Sequence, residues 1–358
     1  MSARVVGRVL TGLLVLALAA AVVVGVLRLP APSAAEGLGV SDVTVPPSPA
    51  TLVCPGPLRL PDDRGRGDAA FDPVPVDPVT TVVAVGAESG GGTVRPLGGG
   101  DVAGTLPDGS GAALVRGVGT PLVVDADPTE QVPPRVAAAT GVLVTAGDLR
   151  GLSAASCQEP TTDAWLVGGA TDLSSRADLV LDNAGATPAQ VQLTVFGPNG
   201  RVDLTGERYL VAPGEQEVVS LGAVASEQRG IVVHVEAEGG RVSASVQDSA
   251  LDGFSPAGTD LVVPGAAPSR RQVVPGVRVS PTGVDDPHAA SLRLLAPGGA
   301  ATTATISLLG ADGVQALPGA QEVSLEPGVV TDVPLGGLPG GAYTVVVDAG
   351  RPVAAAVQ

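Results

Sequence analysis

Few side chains in this chain are equipped for chemistry. Among 358 residues there are two His, two Cys and no Lys, so all 20 basic residues are Arg. A serine nucleophile would need His234 or His288 as its base. His234 lies in the alternating run Ile231 to Glu236, which reads as a strand with the imidazole facing solvent, and His288 follows Asp285-Asp286-Pro287 in a loop. Gly109-Ser110-Gly111 lacks the G-x-S-x-G spacing of a nucleophile elbow, and S-x-x-K cannot exist without Lys. Gly90-Gly91-Gly92 and Gly98-Gly99-Gly100 do not match G-x-x-x-x-G-K-[ST] and no helix pattern follows them, so they read as turns rather than phosphate cradles. The expectation is no catalytic residue, no cofactor and no enzyme.

Acids are plentiful, and a glycoside hydrolase needs only two. Asp163 and Asp172 flank Trp165 and Gly168-Gly169, an arrangement that would suit a ligand contact with a sugar stacked on the indole. The competing reading makes Trp165 the core anchor of the domain at 161–268 and the Gly pair a strand-ending turn. Six aromatic residues in the whole chain are few for a glycan-binding face. No run matches the D-x-[DN]-x-[DN]-G calcium loop; Asp62-Asp63 and Asp125/Asp127 are the nearest acidic clusters, and no metal site is expected.

The elements that must position these residues begin at a membrane. Val9 to Leu27 is a 19-residue run without charge, long enough to span a bilayer, and Arg4 and Arg8 precede it. Residues 1–30 therefore read as a transmembrane anchor or a signal segment. In the anchor reading the protein is single-pass in the cell membrane, its amino terminus cytoplasmic and its remaining domains extracellular. In the other, cleavage falls near Ser33-Ala34-Ala35. The exported part carries 17 Arg against 36 acids. That surplus, with so few aromatics, excludes nucleic acid as a partner. Cys54 and Cys157 are both exported and read as a disulfide.

Residues 31–53, rich in Pro, Ser and Ala, read as a semi-rigid linker. Beyond them, short Val- and Leu-rich runs alternate with Gly, Pro, Asp and Ser turns, as at 79–85, 113–118, 122–124 and 142–145. An internal repeat organises the rest. Leu179-Val180-Leu181-Asp182-Asn183 matches Leu292-Arg293-Leu294-Leu295-Ala296, and Val191 to Gly200 matches Ala304 to Gly313, both at an offset of 113. Val232 to Ala237 matches Thr344 to Ala349, and Val242 to Gln247 matches Val353 to Gln358. Within each copy the period is two: Val191, Leu193 and Val195 face one way and Gln192, Thr194 and Phe196 the other. A unit of this size fits an immunoglobulin-like sandwich, although the Cys-Trp-Cys core pattern is absent. The fold class expected is all-β: an N-terminal transmembrane helix, a disulfide-clamped β domain at 54–160, and two tandem immunoglobulin-like β-sandwich repeats at 161–268 and 269–358. The second copy stops where the first continues with Asp248-Ser249, so its last strand is either an edge strand or part of a shortened chain.

Cys157 to Pro160, Trp165-Leu166-Val167-Gly168-Gly169, Leu179 to Asn183 and Phe196-Gly197-Pro198-Asn199-Gly200 carry C-x-x-P, W-x-V-G-G, L-x-L-x-N and G-P-N-G markers. With them residues 50–358 resemble an actinobacterial family of exported, membrane-anchored envelope proteins of unknown function. The chain departs from its pattern at Leu166, where an aromatic is common, and at Ala184. The resemblance implies an envelope location and assigns no catalytic residue. The function expected is a non-catalytic structural or protein-interaction module of the cell envelope whose partner is a protein or glycan; the alternative is an envelope glycan-binding module, with an exposed Trp165, or more remotely a glycan hydrolase.

Overall fold

In a computed structural model the protein is described at residues 3–27, 45–60, 71, 77–286, 289–315, 317 and 321–358. Asp62-Asp63, His288 and most of the linker lie outside the described residues. The chain divides into two units, residues 1–46 and 47–358. In the first, helix α1 runs from Ala3 to Leu27 through the uncharged stretch. Its side chains are described over residues 12–25, and among the described residues no helix is long and apolar enough to cross a membrane.

The second unit is built of antiparallel strands, as period-two patterning and Gly-marked turns require. Its first part holds β1 (Ala50–Cys54), β2 (Val79–Ser89), β3 (Gly92–Pro96), β4 (Gly104–Leu106), β5 (Gly109–Arg116), β6 (Leu122–Ala126), β7 (Arg135–Val144) and β8 (Gly151–Ser156). Two sheets, ordered β1-β6-β3-β4 and β5-β2-β7-β8, close on a core that includes Leu52, Val82, Ala84, Val94 and Val124. β1 starts at Ala50, inside the stretch read as linker. Thr51 and Val53 are β-branched and favour a strand, and pairing with β6 buries Leu52 and Val53.

Cys54 and Cys157 are bonded to each other, as expected. The bridge closes a loop with a sequence separation of 103, worth about 4–5 kcal/mol in the chain-entropy model. A thiol reagent applied to denatured, unreduced protein should label nothing, and two labels per chain would contradict the bridge.

The first repeat comprises β9 (Asp163–Val167), β10 (Ser175–Asp182), β11 (Ala189–Gly197), β12 (Gly200–Arg201), β13 (Arg208–Val211), β14 (Gln216–Ser220), a four-residue helix at Leu221–Val224, β15 (Val232–Glu238), β16 (Ser243–Asp252) and β17 (Ser255–Val262). Sheet β14-β10-β16-β17 covers sheet β13-β11-β15-β9, and Leu179, Leu181, Leu193, Val195, Val233 and Val246 fill the space between. The second repeat comprises β18 (Ser269–Val279), β19 (Ser291–Leu295), β20 (Thr302–Gly310), β21 (Gly313–Gln315), β22 (Glu322–Leu325), β23 (Val330–Pro334) and β24 (Gly341–Val357). It reproduces the same pairings. One difference is that β24 replaces β15 and β16: its first half pairs with β18 and β20, its second with β19. Another is that β17 has no described counterpart.

Both copies have the two-sheet plan expected of an immunoglobulin-sized unit. Their first and last long strands have exchanged sheets relative to the immunoglobulin order ABED over CFG: β9 lies beside β15, and β16 beside β10. The G-P-N-G and G-A-D-G turns form matching hairpins, with Gly200 at φ 110° and Gly313 at φ 102°, conformations that favour glycine. Asn183 locks the turn after β10. Its amide donates to Thr187 O and Val211 O, and its Oδ1 accepts from Gly185 N.

Candidate functional site

Side chains alternate across β9, so Ala164 and Leu166 enter the first repeat's core while Asp163, Trp165 and Val167 stand on the outer face. On β15 the outer set is Val232, His234 and Glu236, with His234 opposite Trp165 and Glu236 opposite Asp163. This face runs from apolar to charged. At one end Trp165, Val167, Phe196 and Val232 pack against Leu295, Val330 and Ala354 of the second repeat. Trp165 is 8% exposed, so it is the buried anchor rather than an open platform. It anchors the joint between repeats, not the core of one. A glycan-binding face would have needed this indole in solvent.

Gly168 and Gly169 complete that joint. A Cβ at Gly168 would fall 2.5 Å from Gln358 Nε2 and 2.8 Å from a Val262 methyl, and Gly169 sits at φ 90°. The Gly169 carbonyl, with that of Ile231, accepts from Arg293 Nη1, at 2.8 and 3.4 Å. The remaining edge of the guanidinium grips Asp332 in a bidentate pair at 2.8 and 2.9 Å. Arg293 is buried, and a Cβ on Gly230 would lie 2.5 Å from its Nη2. Sequence reasoning missed it. The available signal was a charge between Leu292 and Leu294, at the position that holds Val180 in the first copy.

At its other end the face carries Asp163, His234 and Glu236. His234 is not a solvent-facing strand residue: its ring stacks on Trp165 at 3.9 Å between centroids, 14° from parallel, and only 14% of its side chain is exposed. Its Nε2 lies 3.0 Å from Asp163 Oδ2 and its Nδ1 3.8 Å from Glu236 Oε2. Asp172 is not part of this group. It sits in the turn between β9 and β10, where its carboxylate accepts from the Ser174 backbone and hydroxyl. Asp125 pairs with Arg95 and accepts from Thr51, a fold role.

Three carboxyls have raised pKa values. Burial pushes Asp182 up to about 7, against a hydrogen bond from Gln216. Burial likewise lifts Asp248 to about 6, opposed by Ala170 N–H and Arg293. Burial raises Asp178 too, against the charge and hydrogen bonds of Arg176. These acids do not form a hydrolytic pair. Asp178 and Asp182 are four residues apart on one strand, about 13 Å, beyond the about 5–9.5 Å that glycosidases use. Asp248 follows Ala244 and Val246 onto the inner face. A groove of about 840 Å³ lined by Pro49, Pro133, Pro134 and Arg241 carries one carboxylate, Glu159.

Asp182 has a pH signature. Its folded pKa lies above the ordinary 3.8, so the native state holds a proton that the unfolded chain releases, and stability falls as pH rises from about 4 to about 7. Asp182→Asn should remove that slope and stabilise the chain at pH 7 by about 1–3 kcal/mol. Denaturant midpoints between pH 4 and pH 8 read the effect.

No curated protein and no solved structure matches the chain. A family model does, over residues 112–358, which takes in both repeats and the second half of the first sandwich, from within β5 onward. By that match the chain belongs to DUF5719, a family of unknown function.

Proposed function

We propose that this protein is a non-catalytic module of an actinobacterial cell envelope, held at the membrane through the uncharged run Val9 to Leu27 that follows Arg4 and Arg8, with the later domains exported, and that it works by contact with another envelope protein. The observation that carries this reading is the outer face of sheet β5-β2-β7-β8. There Val79, Val83, Val85, Leu114, Leu143 and Leu152 are all exposed, and cross-strand register makes them one surface: Val83 lies opposite Leu114, and Leu143 opposite both Val79 and Leu152. Contiguous apolar surface of this kind marks interaction sites. In the rows from Val79 to Val85 the single charge is Arg116, in a chain with 36 acids. A second polypeptide can approach these rows without meeting the acidic surplus carried elsewhere, which favours a protein with its own apolar face.

A photo-crosslinking residue at Leu114 or Leu152, on intact cells, should capture one protein species that the same residue at exposed Leu210 does not. Equal labelling from all three positions, or none, would contradict the interaction role. The anchor is read separately: intact chain should resist carbonate extraction, and a soluble form beginning at Glu36 would contradict it.

A further inference from the structure

Asp163 and Glu236 are direct cross-strand partners on β9 and β15, and like charges placed so are destabilising. The second repeat shows what the same scaffold position holds when it is balanced. Val232 to Ala237 matches Thr344 to Ala349, so Glu236 corresponds to Asp348 and His234 to Val346. Opposite Asp348 stands Arg271, as Asp163 stands opposite Glu236, and Arg271 Nη1 lies 3.2 Å from Asp348 Oδ1. One copy thus carries its own cation. The other has a second carboxylate in the cation's place, and an imidazole where its partner has a valine.

We propose that Asp163, His234 and Glu236 bind one divalent transition-metal ion of the zinc class. His234 and Glu236, two residues apart on one strand, share a face with Asp163 from the neighbouring strand. Their ligand atoms all lie within 4.8 Å of one another. Ligands about 2.1 Å from one ion stand at most about 4.2 Å apart, so with the ion on His234 Nε2 beside Asp163, the Glu236 side chain swings over from the Nδ1 side to complete the set. Asp163 and Glu236, each 54% exposed at the side chain, are free to make such movements, while Trp165 holds the imidazole plane. The ion takes the place of the direct contact between His234 Nε2 and Asp163 Oδ2. One nitrogen with two carboxylates favours zinc, cobalt or nickel over calcium and magnesium, which prefer oxygen alone.

The test uses the full-length chain in detergent. Trp165, the sole tryptophan, reports directly because it touches the imidazole. Cobalt titrated up to about 1 mM should quench its fluorescence saturably, zinc should compete and equal magnesium should not. Equilibrium dialysis should count one zinc per chain. Asp163→Asn and Glu236→Gln, both at exposed side chains, should each weaken binding at least about tenfold, and His234→Ala should abolish it in dialysis. No saturable binding below about 1 mM, or binding unchanged in both Asp163→Asn and Glu236→Gln, overturns the proposal.

Discussion

Ile306→Asp is expected to unfold the second repeat while leaving the two sandwiches before it folded. Ile306 is 2% exposed, and its cluster shares no residue with the core of the first repeat. An unpaired charge there costs several kcal/mol, comparable to the about 5–15 kcal/mol that holds a domain together. Limited proteolysis read by mass spectrometry should place new cuts after about residue 269. The matching change Leu193→Asp, at a residue fully buried in the first repeat, should spread further. That repeat sits between two contacts. Trp165, Phe196 and Val232 support the second repeat, and Leu261 packs with Leu58, Val142 and Leu149 of the first sandwich. Cuts on both sides of the first repeat are therefore expected, and resistance of either variant to protease would contradict the tandem cores.

Arg293→Ala should loosen the joint without unfolding either repeat. Its guanidinium satisfies Asp332 and the carbonyls of Gly169 and Ile231 together. Removing one partner of a buried pair costs about 3–5 kcal/mol, discounted here because Asp332 is 39% exposed and can recover water. The Ala244 and Ile306 cores do not use Arg293, so the loss should fall on the contact between repeats. A variant with unchanged stability and an unchanged joint would remove the central role given to this residue.

The strands, the two copies and the disulfide were legible because they rest on local signals: period-two alternation, Gly-marked turns and an even cysteine count. The Val191, Leu193, Val195 face is the buried one, and Phe196 points away from it into the joint. What escaped the sequence were pairings between residues far apart along the chain. Trp165 was expected either as a platform or as the core of one domain, since nothing local says that Leu295 and Ala354 cover it. His234 looked like a surface residue because its alternation places it outside the core. Its burial comes from Trp165 across the strand pair. The exchanged positions of β9 and β16 were equally hidden, because strand order depends on which strands meet after long connections.

Trp165 tests the central claim, that W-x-V-G-G is the seat of the second repeat rather than a binding platform. In the native full-length chain, acrylamide should barely quench this single indole and its emission should be that of a buried ring. In Arg293→Ala, quenching should rise while the cores stay folded. An indole as accessible in the native protein as in the denatured chain would contradict the joint and return Trp165 to the solvent face.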